Sequence, residues 1–120
     1  MNTTIDSPNR LIASDRVEGT SVYDASGEKL GHVERFMVDK VSGRAEYAVM
    51  AFGGILGIGH RHYPVPWQAL TYDTDKDGYV VSLSREKLEN APNYDREGDE
   101  PTYDRAYGEE VYAYYGVPAL

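Results

Sequence analysis

From Tyr47 to Leu70 the chain reads YAVMAFGGILGIGHRHYPVPWQAL. Alternation decides the first part. Ala45, Tyr47, Val49 and Ala51 fall on one face of an extended segment, because successive side chains of a strand point to opposite sides. The other face starts polar at Arg44 and Glu46 and turns apolar at Ala48, Met50 and Phe52. A strand apolar on both sides is covered on both sides, so something besides a barrel interior is expected to pack on Met50 and Phe52. Four glycines then fall within residues 53–59. A second extended run carries Pro64 and Pro66 and ends at Trp67, the single tryptophan. Proline cannot donate a ladder hydrogen bond, which predicts an edge or bulged strand over residues 60–65. Residues 67–70 read as one helical turn.

Upstream, residues 21–23 read as a short strand and residues 24–27 as a tight turn. Residues 28–39 form a second strand whose apolar set, Leu30, Val33, Phe36 and Val38, changes parity; a bulge near Glu34 and Arg35 accounts for it. Downstream, residues 79–83 are extended. Ser84 then N-caps a short helix reaching Ala91, with Leu83 and Leu88 as a hydrophobic staple. Residues 93–110 hold seven carboxylates against two arginines, an acidic linker. It leads to a helix over residues 105–115, capped by Asp104 and stopped by Gly116 and Pro118. Gly108 inside that helix costs about 1 kcal/mol relative to alanine, so the helix needs a buried face. The expected division is a disordered arm over 1–10, a folded domain over 11–92, and a linker with a tyrosine-rich C-terminal helix over 93–120.

Composition narrows the function. A chain of 120 residues is one domain. Twenty acidic residues against twelve basic ones give a net charge of −8, the wrong sign for a phosphate backbone or an anionic lipid surface. A partner with a basic surface suits it better. The absence of cysteine excludes disulfides, thiolate catalysis and cysteine-ligated zinc. No stretch approaches the roughly 20 apolar residues of a membrane helix, and the N-terminus has no apolar signal core. A cytoplasmic protein without a membrane span is expected.

Four motifs invite chemistry. The glycine block lacks both G-x-G-x-x-G and G-K-[ST], and no amphipathic helix follows it, so it reads as a strained structural corner where Gly57→Val would unfold the protein. Asp73, Asp75, Asp77 and Gly78 match the first half of a calcium loop, but Ser84 stands where the bidentate glutamate belongs. An Asp- and Gly-rich hairpin turn is the preferred reading. His60 and His62 share one face of a strand without a third ligand, and read as a solvated strand end. No G-x-S-x-G elbow and no H-E-x-x-H motif exists; no catalytic residue, metal ligand or cofactor is assigned. Finally, six of the eleven tyrosines lie at or after Tyr94. Tyrosine buries a large apolar body while satisfying its hydroxyl. Tyr107, Val111, Tyr114 and Tyr115 share one helical face, which is expected to pack on its own domain, over Met50 and Phe52, or on another subunit. These six are the candidate interaction residues.

Three segments together resemble a known family: VYDASGEKLGHV from Val22, GRAEYAVMAFGGILGIG from Gly43, and YPVPWQAL from Tyr63. They are similar to the PRC-barrel domain over residues 11–92. The F-G-G-x-x-G-x-G block joined to V-P-W resembles its free-standing branch, which is like the photosynthetic reaction-centre H subunit. Tyr114 to Gly116 resembles tails of that branch. The resemblance implies an all-β fold: a small, strongly bent antiparallel barrel with short C-terminal helices. It implies an adaptor or assembly module without a common catalytic residue or cofactor. The expected function is therefore non-enzymatic protein–protein contact, as a homodimer or with a basic protein partner, and without nucleic acid. One alternative is a small-ligand or cation sensor using Asp73, Asp75 and Asp77 or His60 and His62. Another is ribosome-maturation-like binding of a basic ribosomal protein.

Overall fold

Seven strands and three helices follow one another in this computed structural model, which describes residues 11–52, 61–98 and 100–118. The order is α1 (Ser14–Val17), β1 (Ser21–Tyr23), β2 (Lys29–Val38), β3 (Ala45–Phe52), β4 (Arg61–Pro66), a 3-10 turn (Trp67–Ala69), β5 (Leu70–Asp73), β6 (Gly78–Val81), α2 (Arg85–Glu89), β7 (Tyr94–Asp95) and α3 (Arg105–Tyr115). The arm, the glycine block with its Gly57 corner, and His60 lie outside the described residues.

Local chemistry explains most boundaries. The Ser84 side chain accepts from the Lys87 N–H, capping α2, and Asp104 Oδ1 accepts from the Tyr107 N–H at 2.9 Å, capping α3. Gly116, at φ 71°, closes α3 in the left-handed conformation. Register slips between Val33 and Arg35, where the parity change predicted a bulge. β3 runs through the middle of the sheet, and Tyr47, Ala48, Val49, Met50 and Ala51 are all buried, as a strand covered on both faces requires.

The expected closed antiparallel barrel is not what forms. The seven strands make one open sheet in the order β5-β6-β1-β2-β3-β4-β7, with β5 and β7 as separate edges. The sheet is also mixed: β1 pairs with β6 in parallel, Val22 opposite Tyr79 and Tyr23 opposite Val80. β7 joins β4 only at Arg61 and His62, and Pro64 and Pro66 lack the N–H needed to extend that ladder. Beyond it, α3 packs against β4. At the far side, Gly78 lets β6 approach β1: a Cβ there would stand 2.7 Å from the Ser21 carbonyl oxygen.

Three elements are additions to the sequence expectation, the short helix α1 among them. Residues 70–73 form strand β5, hairpinned to β6 through the aspartate turn, with Asp73 opposite Gly78. Tyr94 and Asp95 form β7 inside the acidic linker.

Candidate functional site

The tyrosine-rich helix lies on its own sheet. Val111 and Tyr115 are buried in the core, and Tyr107 and Tyr114 are partly buried against it. Tyr114 Oη donates to the Lys87 carbonyl at 2.6 Å, and Lys87 Nζ stands 5.1 Å from the Tyr114 ring. These contacts tie the last turns of α3 to α2. Met50 is fully buried; Phe52 ends β3, and its side chain lies outside the described residues.

The Tyr112 ring of α3 meets Tyr47, which alternation puts on the side of β3 opposite Met50. The Tyr47 and Tyr112 rings meet edge to face at 5.7 Å. Tyr103, from the linker, stands 5.2 Å from Tyr47 and 5.3 Å from Tyr107. Its hydroxyl lies 3.0 Å from that of Tyr94. Tyr112 Oη donates to Glu46 Oε1 at 3.3 Å. A chain of tyrosines thus runs from β7 through the linker to β3 and α3. Gly108 permits it: a Cβ there would stand 2.9 Å from the Tyr47 hydroxyl.

Between these rings the surface opens into a cleft of about 550 Å³. Tyr47, Tyr103, Tyr112 and Gly108 form its apolar lining, and Glu46 and Glu109 contribute carboxylates. Burial, then Tyr112 and Glu46, push the Tyr47 phenol up to about 12. Burial likewise raises Tyr103 and Tyr112. All three phenols therefore stay neutral at physiological pH, and the charge in the cleft comes from its carboxylates and from Arg105. Tyr47 and Tyr112 are buried against one another, so the cleft presents mainly its carboxylates, whose negative charge attracts cations and repels phosphates.

Sequence reasoning named Tyr107 and the buried face of α3 but missed Tyr47, Tyr103, Tyr112 and Glu46 as one group. Tyr112 lies one helical turn from Gly108, and that spacing was the available signal.

The other motifs resolve differently. Asp73 Oδ1 accepts from the N–H groups of Asp75 and Lys76 at 2.9 and 3.2 Å. Asp77 takes φ 52° and accepts from the Tyr72 hydroxyl. Those two carboxylates hold the β5–β6 turn. Among the described residues no group of three or more histidines, aspartates or glutamates is placed to hold a metal ion. His62 is not the solvated strand end expected: it is 2% exposed. Its ring meets Tyr94 edge to face at 5.5 Å, and neither ring nitrogen has a hydrogen-bond partner. Burial, then Arg35, hold it below its ordinary pKa. β4 is inserted between β3 and β7 at that point, so the side chain that looked terminal is interior.

The chain is thus an open sheet carrying a self-packed helix beside an acidic cleft. A model of the PRC-barrel domain matches residues 10–88, so the chain belongs to the PRC-barrel family. Domains of this family are generally non-catalytic modules of interaction and assembly. The match reaches the family and not the reaction-centre H-subunit-like branch within it. A comparison with curated proteins finds no match. No helix among the described residues is long and apolar enough to cross a membrane.

Proposed function

We propose that this chain is a non-catalytic interaction module that offers the Tyr47–Tyr112 cleft to a protein partner with a basic surface. The observation that carries this is the meeting of three tyrosine rings and three carboxylates, Glu46, Asp104 and Glu109, in one cleft. Tyrosine supplies contact area at low entropic cost, and it is enriched where proteins meet. The net charge of −8 steers a basic partner toward the molecule. Calorimetry with a lysine- and arginine-rich peptide tests the reading. Binding that weakens with salt and is lost in a Glu46→Gln/Glu109→Gln variant supports it. Binding that ignores both carboxylates would count against it.

A second reading, self-association, has its own observation. β5 is a free sheet edge among the described residues, and it exposes Tyr72 at 45%. A strand edge of this kind is a template for pairing with another copy. Sedimentation over a range of concentrations tests it. A dimer that dissociates on Tyr72→Lys substitution supports this reading, and a monomer throughout removes it.

A further inference from the structure

A buried imidazole without a hydrogen-bond partner lies against the shortest strand of the sheet. His62 is 2% exposed, and both of its ring nitrogens are unpartnered. A polar group in that state costs free energy that an apolar side chain of similar size would not. Ala51 stands opposite it on β3 and Tyr94 opposite it on β7. Neither gives the ring an acceptor. Ala51 has only a methyl group, and the Tyr94 ring meets the imidazole edge to face while its hydroxyl lies 3.0 Å from that of Tyr103.

A proton added there brings charge into unfavourable surroundings. Burial disfavours the imidazolium most, and Arg35 and Arg96 repel it, while Glu34 and Glu100 favour it. Glu34 and Arg35 belong to β2; Arg96 and Glu100 belong to the segment after β7. Arg35 and Glu100 also pair with each other, Nη1 to Oε2 at 3.7 Å. From α3, Tyr107 acts on Tyr94 and stays neutral, its phenol pushed up to about 12, mainly by burial. To hold a proton the ring must reach water, so one of its walls must move.

The two flanking strands are unequally held. β3 pairs with β4 from Tyr47 and Pro66 through Ala51 and His62. β7 pairs with β4 only at Arg61 and at His62 itself. The other ties of β7 and the segment after it include two polar ones at the surface. Arg61 Nε donates to Asn93 Oδ1, and the Arg35–Glu100 pair has both side chains nearly half exposed. An exposed ion pair holds weakly, so β7 is the wall that gives. It carries the contact between the Tyr94 and Tyr103 hydroxyls, and the Tyr103 ring in turn packs on Tyr47 at the cleft.

We propose that His62 is a pH-operated latch: on mild acidification it takes up a proton and releases β7, with the segment that carries Tyr103, while the rest of the sheet stays folded. Peripheral elements open locally at a lower free energy than the whole domain, and protonation of a buried histidine biases such an equilibrium. Release of Tyr103 removes one wall of the cleft, whatever partner the cleft receives.

The test is NMR on the full chain between about pH 7.5 and 5. It follows the His62 ring signals and two nuclear Overhauser contacts, His62 with Tyr94 and Val22 with Tyr79. The expected result is a His62 titration with its midpoint below the ordinary 6.5. The Tyr94 contact should be lost in step with it, and the Val22–Tyr79 contact should remain. Arg35→Gln removes a repelling cation and should move the midpoint upward. In His62→Phe the Tyr94 signals should stay constant over the same range. A Tyr94 contact that survives at the acid end, with His62 protonated or neutral, would overturn the latch. So would loss of both contacts together, which is global unfolding, or Tyr94 signals that still move in His62→Phe.

Discussion

Gly108 stands against the hydroxyl of Tyr47, so closely that a Cβ on the glycine would lie 2.9 Å from that oxygen. Tyr47 cannot swing away freely, because Tyr103 and Tyr112 pack on its ring and it is 8% exposed. A glycine inside a helix costs about 1 kcal/mol relative to alanine. Here that cost accompanies a contact between helix and sheet.

The substitution Gly108→Ala should therefore fail to stabilise the protein, its helix propensity offset by displacement of Tyr47. In a Tyr47→Phe background the obstruction is gone. There Gly108→Ala should raise the melting temperature by about 4 °C, the equivalent of roughly 1 kcal/mol in a domain of this size. Thermal denaturation of the four proteins in this cycle checks the sign. A rise of the same size in both backgrounds would show that the close approach has no energetic consequence.

Buried His62 makes stability fall on mild acidification. Burial and Arg35 lower its folded pKa from the ordinary 6.5, with Arg96 adding to them and Glu34 and Glu100 opposing. The unfolded chain therefore takes up the proton first. Stability is fully present above about pH 6.5, and it is lost as pH falls through the folded pKa. The edge-to-face contact with Tyr94 suits a phenyl ring, so His62→Phe should fold. The difference in unfolding free energy between wild type and His62→Phe should change between about pH 7.5 and 5. A constant difference across that range would contradict the interior position of His62.

Asp24 gives a second loss of stability on acidification, at lower pH. Its Oδ1 accepts from the Ser26 hydroxyl at 2.6 Å and from the N–H groups of Ser26 and Glu28 at 3.0 and 2.9 Å. The Ser26 hydroxyl is the main cause of its lowered pKa, ahead of the opposing effect of burial. Its contribution to stability is present above the ordinary value of 3.8 and disappears as pH falls through the lower folded value. Asp24→Ala should cost about 1–2 kcal/mol at neutral pH, as removal of a turn cap does. Chemical denaturation should show the wild type and variant converging near pH 2.

Val111 is buried where α3 meets the core. Val111→Ala removes two methyl groups, worth about 0.8 kcal/mol each plus a cavity term. A loss of about 2 kcal/mol is expected by urea denaturation. A neutral result would mean that this face of α3 is not held against the sheet.

What was legible in the sequence was local. Ser84, Asp104 and Gly116 announce helix ends because capping acts over three or four residues. The burial of β3 on both faces and the bulge in β2 are written in parity. The parallel pairing of Val22 with Tyr79 was not legible, since it joins segments more than fifty residues apart, and no local pattern encodes a partner. The same holds for closure: alternation within each strand does not say whether the outer strands meet. His62 looked terminal because β7 was hidden in an acidic stretch. The cleft escaped because Tyr47, Tyr103 and Tyr112 come from a strand, a linker and a helix, and Gly108 read as a weak point in α3.

The central claim is that α3 closes on the sheet of its own chain and so builds the cleft. Nuclear Overhauser contacts among Tyr47, Gly108 and Tyr112 test it most directly. They should be measured in uniformly labelled protein and, with isotope filtering, in a mixture of labelled and unlabelled chains. The expected result is strong contacts in the uniform sample and none across chains in the mixture. Contacts that appear across chains would place the helix on a neighbouring subunit and contradict the account.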